Sequence, residues 1–143
     1  MTQIHESLQL LMADALVMFT KVHNYHWNVR GPQFYGIHAR TEEIYEQFAT
    51  MYDDLAERLL QLEGKPLVTL KDVLARTRLK EETETQFTAE RVVKSLISDF
   101  DHFLNEFKKM EKIAGDDSTT VAYAQEQIAG FEKQLWMLKS NLI

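Results

Sequence analysis

The stretch HNYHWNVRGPQFYGIHARTEEIYEQFATMYDDLAERLLQLEG, residues 23–64, decides the fold. From Phe34 onward its apolar residues keep helical time. With His38 at 0° and about 100° per residue, Ile37, Ile44, Phe48, Met51, Leu55, Leu59 and Leu62 fall between roughly 220° and 300°. On the same wheel Glu42 stands at about 40°, Asp53 at about 60° and Glu57 at about 100°. His38 and Glu42 are four residues apart, as are Asp53 and Glu57, so each pair shares a face. The helix thus buries one stripe and presents a row of imidazole and carboxylate on another.

That ligand chemistry suits iron, zinc or manganese. The row cannot be a single site, because His38 and Asp53 are separated by about 22 Å of helical rise. A metal requires its ligands at roughly 2.0–2.2 Å. Two readings remain open at this point. Either the pairs are unrelated groups on a solvated face, or each is half of a site completed by another chain. An antiparallel copy of the helix, related by a two-fold axis near Gln47 and Phe48, brings His38 of one chain opposite Asp53 and Glu57 of the other. It does so twice, since such an interface is isologous. His26, just before the Gly31-Pro32 break, is able to join the histidine half.

The same stretch resembles the signature of the Dps family of mini-ferritins, bacterial iron-storage and peroxide-protection proteins. The His26-Trp27-Asn28 start, the next histidine twelve residues on, and the Asp53-x-x-Ala56-Glu57-Arg58 ending carry the resemblance. It is nearest to the neutrophil-activating branch, and the WMLKSNL run around Trp136 extends it toward the end of the chain. The resemblance implies an all-α, ferritin-like four-helix bundle with a short extra helix in the long crossover between helices two and three. It implies ferroxidase activity at centres shared between subunits. It implies that His26 and His38 come from one chain, with Glu42 or its neighbours, Asp53 and Glu57 completing the centre; many relatives carry Asp at the position of Glu42. It further implies a homo-oligomer, a dodecameric hollow shell, with Fe(II) and hydrogen peroxide as substrates and ferric iron as cargo.

Composition agrees. The chain has 143 residues, 45% of them hydrophobic, which is enough core for one domain spanning residues 1–143. Five Gly and two Pro leave long uninterrupted helical stretches. The absence of Cys removes disulfide and thiolate chemistry. The opening MTQIHESLQLLMADAL lacks a basic n-region and a cleavage site, and no apolar run is long enough for a bilayer. The expected location is the cytoplasm.

Four long helices follow from periodicity. The first is expected over Ile4 to Val29, ending at Gly31-Pro32, and the second over Phe34 to Glu63, ending at Gly64-Lys65-Pro66. The third begins near Thr88 and carries Val92, Leu96, Phe100, Phe103 and Phe107. The fourth follows Gly115-Asp116-Asp117, with a seam from Val121 through Phe131 to Leu142. Residues 66–87 are too long for a plain connection. Thr69 with Asp72 resembles a capping box, opening a short helix with Leu70, Val73 and Leu74 on its apolar side. KEETETQ, residues 80–86, is expected to be a solvated loop.

Several single residues carry expectations of their own. His26 lies in register with the first helix's apolar stripe, so alone it would be a satisfied core histidine. His23 is expected to be structural or to support the ligands. Trp27 is a core or interface residue and a candidate sacrificial electron donor, and Trp136 is expected to pack. Glu46, at about 80°, is a surface acid or a mineral nucleus. Other ferritin-like proteins build a di-iron centre inside one bundle from Glu-x-x-His motifs. None occurs here; the nearest approximation, Asp99-x-x-His102, is expected to be a helix-surface pair. Asp116 and Asp117 are candidate iron-entry residues by resemblance, although Ala122 and Gln125 stand where other members place acids.

DNA binding is disfavoured. Sixteen basic residues face 22 acidic ones, for a net charge of −6, and phosphate neutralisation needs clustered Lys and Arg. No Lys or Arg precedes Lys21. A rival class stays open: a helical interaction protein or nucleoid-associated shell without significant ferroxidase activity.

Overall fold

The computed structural model describes residues 1–142. Four long helices form: α1 (Gln3–Asn28), α2 (Phe34–Gln61), α4 (Ala89–Ala114) and α5 (Ser118–Ser140); a short α3 (Leu70–Arg76) lies in the crossover between α2 and α4. Local chemistry sets the starts. Thr2, Thr69, Thr88 and Asp117 each accept a hydrogen bond from the backbone N–H three residues on, capping α1, α3, α4 and α5. Gly31, at φ 112°, supplies the turn between α1 and α2 that a side chain would strain.

Helix α2 ends at Gln61, two residues before the expected Glu63. The N–H of Gly64 donates to Leu59 O and that of Glu63 to Leu60 O, which closes the helix. The left-handed residue is Glu63, at φ 63°, and not the glycine. Gly64 is required for a different reason, because a Cβ there would collide with the Leu59 side chain.

Helix α1 packs along α2 and α4 along α5, with α1 meeting α4 to close the bundle. The shared core is aromatic at its centre. Phe48, Phe100, Phe103, Phe107 and Phe131 are all fully buried, and Phe103 stacks on Phe131 at 5.6 Å. Only two carboxylates among the described residues are buried, Asp14 and Asp99, and both are ion-paired. The bundle interior is therefore no place for a di-iron centre. Among the described residues no helix is long and apolar enough to cross a membrane.

The crossover is tied down by charge. Asp14, wholly buried in α1, accepts from the Thr77 hydroxyl and Arg78 N–H at 2.8 Å each, from the Arg78 guanidinium at 2.8 Å and from His102 at 2.8 Å. Farther along, Glu82 accepts from Tyr25 at 3.0 Å and Arg91 at 2.7 Å, while Asn24 donates to the carbonyls of Glu82 and Glu84. Residues 80–86 are therefore not a purely solvated loop; half-buried Glu82 anchors them. Beyond them Val29–Arg30 (β1) pairs in parallel with Phe87–Thr88 (β2).

Three further expectations are corrected. Asp99 and His102 are not a surface pair, since Asp99 is buried against Lys21 at 2.8 Å and His102 reaches Asp14. Trp136 is 67% exposed in the protomer instead of packed, because α5 turns that edge outward. Leu142 lies beyond the end of α5 and is not part of its seam.

Burial alone would raise the Asp14 carboxyl, but the bonds from His102, Arg78 and Thr77 overcome it and hold the group below its ordinary 3.8. The stabilisation is fully present above that unfolded value and is lost as pH falls through the lower folded one. Asp14→Asn is expected to cost about 2–4 kcal/mol at pH 7. Urea unfolding of both proteins checks this: the gap should narrow as pH drops below the unfolded value.

Candidate metal centre

The turn at Gly31-Pro32 folds the end of α1 back on the start of α2, bringing His26 and His38 together. Their rings stack at 3.7 Å with 14° between planes. Each imidazole bonds the other's backbone. His26 Nδ1 lies 2.7 Å from His38 O, and His38 Nδ1 lies 2.8 Å from His26 O. A carbonyl only accepts, so both Nδ1 atoms carry the hydrogen, and in the neutral imidazole each Nε2 then keeps a lone pair. Neither Nε2 is bonded by any described residue. This is the tautomer a metal ligand needs.

Packing holds the pair in place. Phe34 stacks beside His38 at 5.1 Å, and Tyr45 meets His26 edge-on at 5.3 Å. His23 stacks on Tyr45 at 3.7 Å and donates from Nδ1 to Phe19 O at 2.6 Å, a supporting role matching the sequence expectation. Trp27 lies 5.4 Å from the His23 ring and is 66% exposed, so within the protomer it is not a core residue. Sequence reasoning missed Thr41, whose hydroxyl sits 3.2 Å from His26 Nδ1. The available signal was a threonine at about 300° on the apolar stripe.

Glu42, Asp53 and Glu57 stand exposed on α2, and none of them joins an ion pair among the described residues. Their neighbours are occupied: Glu43 binds Arg40 at 2.6 Å and Arg58 binds Asp117 at 2.9 Å. Asp54 is held above the usual carboxylate range by desolvation and by the charges of Asp53 and Glu126. Glu46 is also exposed and lines a shallow groove with Asp54 and Glu126. Among the described residues no three metal-capable side chains converge within the protomer. The structure thus joins His26 to His38 and leaves Asp53 and Glu57 apart from them.

Asp117, a candidate for iron entry, has a structural role within the protomer. Bonds from Thr120, whose hydroxyl donates at 2.6 Å, and from Arg58 hold its carboxylate below the usual range. It caps α5 and fastens α2 to it. Asp116 remains exposed.

Four long helices with a short one in the crossover define a ferritin-like fold. The ferritin-like domain family matches residues 5–142. The chain is 49% identical over 139 residues to a DNA protection during starvation protein of Helicobacter pylori, covering 96% of each. It superposes on the crystal structure of Helicobacter cinaedi CAIP with TM-score 0.97 at 42% identity, covering 99% of this chain and 100% of that one. A Dps protein from Vibrio cholerae O1, described as a member of a broad superfamily of ferritin-like diiron-carboxylate proteins, superposes with TM-score 0.93 at 30% identity, covering 99% of this chain and 90% of that one. The chain belongs to the Dps family. Membership implies iron storage and protection.

Asp117→Ala is expected to destabilise the fold by about 1–2 kcal/mol through loss of the α5 cap and the Arg58 pair. Thermal unfolding checks this; an unchanged melting temperature would overturn the capping role.

Proposed function

We propose that this protein is a ferroxidase that oxidises Fe(II), preferentially with hydrogen peroxide, at centres shared between two-fold-related subunits, and stores ferric mineral inside a dodecameric shell. His26 and His38 of one subunit would bind iron through Nε2, and Asp53 and Glu57 of the other would complete the centre, with Glu42 at its edge. The carrying observation is the reciprocal histidine lock, which presents two bare Nε2 atoms with no carboxylate in the same protomer to meet them. Leu60 supports the interface. It lies at about 40° on the wheel, inside the ligand arc, yet is 59% exposed in the protomer. An apolar side chain amid unpaired acids fits a face that another subunit covers.

Neutral imidazole with carboxylate holds Fe(II) loosely enough to leave room for oxidant and favours Fe(III). Two Fe(II) each give one electron to peroxide, the O–O bond breaks, and two hydroxides leave without hydroxyl radical. Iron is substrate here, not a resident cofactor. In stopped-flow absorbance, ferric formation should be faster with peroxide than with an equal oxidising equivalent of dioxygen. No acceleration over buffer by either oxidant would leave only a shell or interaction role.

The shared centre has its own test. His26→Ala with His38→Ala removes every histidine half, and Asp53→Ala with Glu57→Ala every carboxylate half. Each protein alone should lose rapid oxidation. Co-expressed, their mixed dimers contain one intact centre and should recover activity. Verified mixed dimers without recovery would end the shared-site proposal.

The net charge of −6 also weighs against strong DNA binding. The protein is expected not to retard DNA at neutral pH in about 150 mM salt, where weak electrostatic contacts are screened. A tight gel shift there would overturn this.

A further inference from the structure

Thr41 is the one polar residue among the buried positions of α2, at 1% exposure. A buried hydroxyl is costly unless bonded, and valine would fill the same stripe without that cost. The Thr41 oxygen lies 2.7 Å from Ile37 O, 3.0 Å from His38 O and 3.2 Å from His26 Nδ1. His38 O already receives the His26 N–H at 2.7 Å. The shorter contact therefore takes the hydroxyl hydrogen to Ile37 O, which leaves an oxygen lone pair facing His26. A chain of donors results, from His26 Nδ1–H to the Thr41 oxygen and from the Thr41 hydrogen to Ile37 O.

We propose that Thr41 is a positioning residue for iron binding: its hydroxyl, as second acceptor for His26 Nδ1–H, fixes the plane of the imidazole and so the direction of Nε2. The proposal rests on the reading that His26 is an iron ligand. One acceptor fixes the direction of an N–H but lets the ring swing around it. A second acceptor on the same hydrogen removes that freedom. The neighbouring rings cannot substitute, since His38 and Tyr45 bound His26 by contact and carry no acceptor to its Nδ1. Groups that orient a ligating histidine from its far nitrogen change metal affinity by about 10–100-fold when removed.

Co(II) is the probe, titrated into the metal-free assembled protein and followed by its visible d–d bands, which report affinity and ligand geometry without turnover. Wild type should bind and His26→Ala should not. Thr41→Val should weaken binding about tenfold and shift the bands while thermal stability and assembly hold. Thr41→Ser should restore both, because it keeps the hydroxyl. Thr41→Ala gives the same comparison where valine disturbs folding. If Co(II) binding ignores His26, the ligand reading falls and this proposal with it. If His26 is required but Thr41→Val and Thr41→Ala bind with wild-type affinity and bands, only the Thr41 proposal is overturned. Equal loss in Thr41→Ser and Thr41→Val would also overturn it, by assigning the effect to packing.

Discussion

Two hydrogen bonds between the end of α1 and the start of α2 carry the chemistry of this fold. Each uses a histidine Nδ1–H and the opposite residue's backbone carbonyl, and the His26 N–H also faces the Thr41 hydroxyl. The arrangement is possible only because Gly31 turns the chain within a few residues of both rings. Its consequence is electronic as well as steric. With the hydrogen on Nδ1, each neutral imidazole is left with its Nε2 lone pair, the form able to bind a metal.

The bundle and the site make opposite demands on polarity. Five buried phenylalanines at the centre exclude ligands from the interior, where desolvating an unpaired carboxylate would be prohibitive. The carboxylates Glu42, Asp53 and Glu57 lie instead on the outer face of α2. There the acids stay hydrated and unpaired until something else approaches. The two carboxylates that do lie inside, Asp14 and Asp99, are tied to cations and serve the fold.

Crossover geometry draws on charge as well as on the apolar packing of Leu67, Val73 and Leu79. Only Val73 of α3 is buried, so that helix contributes little on its own. Asp14 and Glu82 gather the flanking segments onto α1, and Arg78 reaches on to Glu106 of α4 at 2.8 Å. Each pair spans a long stretch of sequence. The connection thereby holds α2 and α4 in the arrangement that completes the bundle.

Much of this was legible in the sequence. Periodicity determined four helices within a few residues, since a 3.6-residue apolar stripe has few other ways to be buried. Turn chemistry marked Gly31-Pro32, and the Thr69–Asp72 cap announced α3. The wheel put His38, Glu42, Asp53 and Glu57 on one face, because spacing along a single helix is a local property. What spacing could not reveal were contacts between elements. The ring-on-ring lock of His26 and His38, the Thr41 hydroxyl beneath it, the capture of Asp14 by Arg78 and His102, and the pairing of Arg58 with Asp117 all join residues whose distance depends on how helices dock. Trp136 shows the same limit, since periodicity told that it lay on a helix edge but not which way the edge faced. Sequence determined which side chains share a helix face; tertiary packing alone decided which faces meet, because that choice is made by the fit of whole surfaces and not by any residue's neighbours in the chain.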